Sequence, residues 1–146
     1  MKTRKVQKYD WENIAKSFQV PAEELWEICP SLAVLVCPGG LKIVREGEPG
    51  VDVFIVGKGS LTVRHSVALF FSKQVAKLKA GDFFGEIGFI AAQGRTATVE
   101  TDGPCEVYRI LADNMQTLVE RHADLRLRLE EAARQRVQAL SDAVTK

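Results

Sequence analysis

Between Ser31 and Ile110 the chain never sustains a helical pattern for long. It offers a series of short apolar runs instead: "SLAVLV", "LKIV", "VDVFIV", "SLTV", "VALFF", "QVAKL", "TATVET" and "EVYRI". Each is rich in β-branched or aromatic residues, and Gly and Pro clusters separate them: "CPGG", "EGEPG", "GKG", "KAGD" and "DGP". Many short strands at close spacing bury their apolar faces only by folding into a sandwich or a closed barrel. One stretch breaks the pattern. "FFGEIGFIAAQG" is too rich in Gly and small residues for a strand, and reads as a short helix set into the barrel. "VALFF" reads as a buried strand in preference to an exposed tip, and "VGKGS" as a hairpin turn.

Helical zones flank this core. Before residue 30, Asp10 is placed to cap a helix carrying Trp11, Ile14, Ala15 and Phe18. Pro21 suits a first helical position, with Glu23 and Glu24 at the positive end of the dipole. After residue 110, "LADNMQTLVERHADLRLRLEEAARQRVQAL" holds no Gly or Pro. At 100° per residue, Leu125, Leu129, Ala132, Ala133 and Leu140 form one stripe, with Arg136 near its middle. The expected organisation is one domain: helices over 1–30, a β-barrel over 31–110 and helices over 111–146.

Several function classes fall away. The chain of 146 residues has a net charge of +1, so no broad field recruits nucleic acid or an anionic membrane. "MKTRK" is too short a basic start for a signal peptide, and no apolar run reaches the ~20 residues of a membrane span. Cys29, Cys37 and Cys105 are odd in number and scattered, so neither a zinc site nor a disulfide framework is expected. A cytoplasmic setting follows. His65 and His122 stand alone in sequence, which opposes a histidine-rich metal enzyme on a barrel. "VGKGS" lacks the first Gly of a phosphate loop, and "GKGSLT" lacks the third Gly of a dinucleotide fingerprint. No cofactor, no metal and no catalysis are expected.

"GEIGFIAAQGRTATV" carries the chemistry. A helix starting near Gly85 turns free N–H groups outward. Gly88, Ala91 and Ala92 leave room for an anion to approach the backbone. The planar fork of Arg95 suits two phosphate oxygens, and Thr96 adds a hydroxyl. Glu86 would repel a phosphate unless it faced away and accepted a hydrogen bond from a hydroxyl on the same ligand, as a ribose 2′ hydroxyl provides. A 3′,5′-cyclic nucleotide meets both demands; a plain nucleotide or a sugar phosphate stays compatible. The alternative is that Glu86 and Arg95 simply pair with each other or with solvent.

Phe84, Gly85, Glu86, Gly88, Arg95, Thr96, Ala97, Thr98 and Val99 resemble the phosphate-binding cassette of the cyclic nucleotide-binding domain family. "EGEPGVDVFIVGKGSLTV" resembles that family's barrel signature. The resemblance implies a mainly β fold with flanking helices: an eight-stranded jelly-roll barrel, a short phosphate-binding helix within a cassette at 84–99, and a C-terminal helical lid. It implies that Glu86 holds the ribose 2′ hydroxyl. Arg95 then holds the cyclic phosphate, with Gly85 and the N–H groups around Ile87, Gly88, Thr96 and Ala97. It also implies that Arg136 covers the purine; the alternative is a snorkelling side chain. Gly88 departs from an alanine found in many members, and the apolar "VALFF" departs from a polar turn.

The expected function is a regulatory module that binds cyclic AMP in preference to cyclic GMP, closes its last helix over the ligand and signals to a partner or fused effector. Thr96 keeps a cyclic GMP-preferring module in view, since its hydroxyl can meet a guanine amino group. A sensing fragment of a catabolite-activator-like regulator is the other alternative. With no helix-turn-helix before Lys146, binding of nucleic acid by this chain alone is not expected, nor is binding of a membrane.

Overall fold

The computed structural model describes residues 1–145. Lys146, the last residue of the expected C-terminal zone, lies outside them. Strand β1 (Lys2–Arg4) leads into helices α1 (Lys8–Phe18) and α2 (Ala22–Ile28). Then come β2 (Ala33–Cys37), β3 (Lys42–Val44), β4 (Val53–Lys58), β5 (Leu61–Ala68), β6 (Phe71–Leu78) and β7 (Phe83–Phe84). Helix α3 (Glu86–Ala91) interrupts the strands before β8 (Thr98–Thr101) and β9 (Cys105–Ile110). Helices α4 (Ala112–Arg121) and α5 (Ala123–Thr145) complete the chain.

The strands form two antiparallel sheets, ordered β1-β2-β9-β4-β7 and β3-β8-β5-β6. The architecture is the expected mainly β jelly roll with flanking helices. Among the described residues no ladder joins the sheets, so side-chain packing closes the barrel. Strand β1 makes the strand count nine; its "KTR" carries no apolar signal.

Alternation along the five-stranded sheet divides the core in two. Val53 and Ile55 of β4 face the helices, where they meet Ile14, Phe18, Leu118 and Leu129. Phe54 and Val56 face the other sheet, where they meet Leu61, Leu78 and Val99. The five-stranded sheet is thus covered on both faces. The outer face of β5 and β6 stays largely exposed.

Several local expectations need correction. Asp10 is not the cap of α1: Gln7 is, and Asp10 sits at the third helical position, accepting from the Gln7 N–H at 2.7 Å. Pro21 is the N-cap of α2, one place earlier than expected. "VGKGS" is not a hairpin turn, because β4 and β5 lie in different sheets; it is a corner, with Gly59 at φ 89°. "VALFF" is not a buried strand. It contains the two-residue turn between β5 and β6, and Leu69, Phe70 and Phe71 are 78%, 94% and 69% exposed. Cys37 and Cys105, far apart in sequence, are directly opposite in the β2–β9 ladder as buried free thiols.

Candidate ligand-binding site

Strand β7 delivers the chain to Gly85, which caps α3 at φ 87°. A Cβ there would lie 2.7 Å from the Asp52 carbonyl oxygen, so a left-handed glycine is needed on both counts. Glu86 opens α3 and points inward, 1% exposed. The helix ends at Ala92, whose N–H donates to the Gly88 oxygen at 2.9 Å. The chain then turns through Gly94 to Arg95.

Arg95 is pinned by a segment that in sequence looked like punctuation. Its N–H donates to the Glu48 oxygen, and its own carbonyl accepts from the Gly47 N–H, both at 2.8 Å. Only 9% exposed, its guanidinium donates from Nη1 to the Gly85 oxygen at 3.2 Å and from Nη2 to the Asp52 oxygen at 3.1 Å. The Phe54 ring lies beneath it, 5.6 Å away. Three glycines surround it: added Cβ atoms on Gly50, Gly85 and Gly88 would come within 2.5 Å of Nε, 3.0 Å of Nη1 and 3.2 Å of Nη1. Burial pulls the Arg95 pKa down, against the opposing pull of the acids nearby. Arg95 uses two of its five N–H donors here, so donors remain for an anion.

Glu86 is partnered on one side only. Its Oε1 accepts a short hydrogen bond from Nη1 of Arg136 on α5. Its Oε2 is buried with no partner among the described residues. Burial raises the Glu86 pKa, and the charges of Arg136 and Arg95 only partly oppose this. An unpaired buried carboxylate oxygen costs free energy, so it is a feature that calls for an explanation.

Gly85, Glu86, Ile87, Gly88, Arg95, Thr96, Ala97 and Arg136 all line one cavity. Val63, Val75, Leu78 and Leu140 complete its walls, giving an apolar chamber with charged groups at one end. Those wall residues were missed in the sequence, as was Gly50, whose lack of a side chain makes room for Arg95. The cavity holds about 80 Å³. That is smaller than the ~300–1,000 Å³ of small-molecule sites, and Arg136, Ala139 and Leu140 of α5 form part of its lining.

The remaining candidates lie as follows. Arg136 neither snorkels nor stands free: it pairs with Glu86 and lies 5.4 Å from the Phe83 ring centre. The Thr96 carbonyl bonds His65 Nδ1 at 3.0 Å, and Glu46 Oε1 lies 3.1 Å from the same nitrogen. His122 lies 3.0 Å from Glu24 at the α4–α5 junction. Among the described residues no group of His, Cys, Asp and Glu is arranged to hold a metal.

The cyclic nucleotide-binding domain family model matches residues 35–122. The chain therefore belongs to the cyclic nucleotide-binding domain family. The potassium/sodium hyperpolarization-activated cyclic nucleotide-gated channel 4 of human is 30% identical over 95 residues, which is 65% of this chain and 8% of the channel. The rabbit channel gives the same figures. Among solved structures, the regulatory domain of Toxoplasma gondii PKA with cAMP matches at 27% identity with a TM-score of 0.73. That match covers 86% of this chain and 49% of the other. The sensor domain of the transcriptional regulator DNR from Pseudomonas aeruginosa has a TM-score of 0.75 at 16% identity, a likeness of fold, covering 92% and 93% of the two chains. This chain thus spans a small part of the channels it matches and about half of the kinase regulatory domain. Among the described residues no helix is long and apolar enough to cross a membrane.

Proposed function

We propose that this chain is a regulatory, non-catalytic module that binds cyclic AMP first and cyclic GMP second. The observation that carries the reading is the unpartnered, buried Oε2 of Glu86 in the same cavity as the Arg95 guanidinium. The free oxygen accepts the ribose 2′ hydroxyl. The spare donors of Arg95, with N–H groups around Ile87, Gly88, Thr96 and Ala97, take the cyclic phosphate. Arg136 covers the purine. The cyclic AMP in the name of the Toxoplasma structure supports the order of preference, and Thr96 on the cavity wall keeps cyclic GMP as second ligand.

The output runs through α5. Arg128 ties its first half to the end of α1, donating from Nη1 to the Phe18 oxygen and from Nη2 to the Ser17 oxygen, both at 2.7 Å. Arg136, Ala139 and Leu140 further along lie over the cavity. Ligand entry therefore lifts the far half of α5, which then re-closes on the purine and reports to a partner or fused effector, in a cytoplasmic setting. The ligand shifts this equilibrium only by its difference in affinity for the two positions.

Calorimetric titration with both nucleotides tests the reading. Micromolar binding of cyclic AMP is expected, with Arg95→Ala weakening it on the order of 10–100-fold through loss of charge-assisted hydrogen bonds. Unchanged affinity in a folded Arg95→Ala variant overturns the assignment.

A further inference from the structure

The turn between β5 and β6 places three large apolar side chains in water. Leu69, Phe70 and Phe71 are 78%, 94% and 69% exposed, and Ala68 beside them is exposed as well. Phe70 also takes φ 70°, a left-handed conformation that turns normally give to Gly or Asn. A bulky ring at this position is unfavourable for the backbone and for hydration alike, and at 94% exposure Phe70 gains little from packing to offset either cost.

The charge along the hairpin's own strands is one-sided. Residues 53–81 hold Lys58, Arg64, Lys73, Lys77 and Lys79 with His65, and no Asp or Glu. Lys77 pairs with Asp102 and Lys79 with Asp82. Arg64 and Lys73, the two cations nearest the turn, form no ion pair among the described residues and are exposed. Two carboxylates from neighbouring strands face this part of the hairpin: Glu46, held by His65 Nδ1 at 3.1 Å and the Ser66 N–H at 3.0 Å, and Glu100, which shares a shallow hollow with Arg64, Lys42, Phe70 and Phe71. The net charge of +1 hid this local asymmetry.

We infer that the β5–β6 apex docks on an anionic lipid bilayer. A convex tip of three side chains covers far less than the ~800 Å² per partner of a stable protein interface. It is well suited to entering the boundary between headgroups and acyl chains, which amphipathic segments penetrate by ~5–10 Å. Lys73 lies three residues from Phe70, so at ~3.3 Å per residue it stands about 10 Å from the apex. When the rings are immersed, Lys73 is level with the phosphates of acidic headgroups, and Arg64, opposite Gln74, follows one rung further out. An apolar insertion and a basic flank act together, as surface anchoring requires. The expectation of no membrane contact rested on the overall charge, and the local arrangement revises it.

Vesicle co-sedimentation tests this with the intact chain. Phosphatidylcholine vesicles with and without phosphatidylserine are compared for the wild type, Phe70→Asn, the Leu69→Ser/Phe70→Asn/Phe71→Ser variant and Lys73→Glu. Circular dichroism and melting confirm that each is folded. Wild type is expected on the serine-lipid vesicles. The triple variant should lose on the order of tenfold or more in affinity, and Lys73→Glu less, with binding weakened by salt. In Phe70→Trp, indole emission should shift to the blue on adding the same vesicles. Wild type remaining in the supernatant, equal sedimentation of the triple variant, or an unshifted Phe70→Trp spectrum overturns the inference. So does concentration-dependent dimerisation without vesicles that the triple variant abolishes, which makes the apex a contact between copies.

Discussion

Asp10 and Glu86 are two carboxylates from different ends of the fold, 0% and 1% exposed, each facing an arginine. They are satisfied very differently. Asp10 accepts from Arg4 Nη1 at 2.8 Å, Arg4 Nη2 at 2.7 Å, the Gln7 N–H at 2.7 Å and the Tyr108 hydroxyl at 2.7 Å. Arg4 also holds Glu106, so β1, α1 and β9 close into one saturated network. Glu86 accepts from Arg136 at Oε1, and its Oε2 has no side-chain partner among the described residues. Burial pushes both carboxyls up. At Asp10 the hydrogen bonds outweigh burial and the pKa is lowered; at Glu86 they do not and it is raised. A saturated acid holds elements together, whereas an unsaturated acid beneath a helix keeps an acceptor in reserve, which is why the proposed ligand contact falls on Glu86.

Breaking the saturated network should have the largest effect. Asp10→Ala leaves Arg4 and Tyr108 without their shared acceptor, though Arg4 keeps Glu106, and should destabilise the chain by about 2–4 kcal/mol in urea unfolding through the loss of several charge-assisted hydrogen bonds. Affinity for cyclic AMP in the folded fraction should stay as in wild type. At the other acid, Arg136→Ala removes the arginine that Glu86 pairs with and should lower stability at pH 7 by about 1–3 kcal/mol. That loss should shrink in acid, where Glu86 takes up a proton.

Glu86→Gln sharpens the contrast, since it replaces an acid by a neutral group of the same shape. Stability should hold within about 1 kcal/mol, while calorimetry should show cyclic AMP bound on the order of tenfold more weakly. The two acids should also have opposite pH signatures. With its folded pKa lowered, Asp10 gives stability above its ordinary 3.8 that disappears as pH falls through the folded value. With its folded pKa raised, Glu86 helps most below its ordinary 4.5, and that contribution fades as pH rises through the folded value. Unfolding measured across pH should therefore flatten on the acid side in Asp10→Asn and on the higher side in Glu86→Gln. The smallest effect belongs to neither acid: Phe70→Asn should raise the melting temperature slightly, by relieving a left-handed phenylalanine worth about 1 kcal/mol.

The strands and the cassette were legible because their signals are local. Gly and Pro clusters mark where strands stop, and Glu86, Arg95 and the small residues between them lie within one short stretch. What stayed hidden depends on distant partners. "VALFF" has the same composition buried or exposed, and only the β5–β6 register decides. "VGKGS" looks like any tight turn until sheet membership is known. The opposition of Cys37 and Cys105 follows from the β2–β9 register, and the grip of Arg136 on Glu86 from the docking of α5 on α3. The Asp10 network was out of reach because β1 carries no hydrophobic pattern to announce it.

The guanidinium of Arg95 is threaded past glycines from two separate turns and one helix. A methyl group on Gly50 would come within 2.5 Å of it, and one on Gly88 would meet the Gly50 carbonyl at the same distance. These positions therefore cannot drift independently in a descendant lineage that keeps the arginine. Losing Arg95 would release Gly50 alone: Gly85 stays bound by its φ of 87° and the Asp52 carbonyl, and Gly88 by the Gly50 carbonyl, so a side chain appearing first at position 50 would be the mark of a lineage that has dropped the arginine.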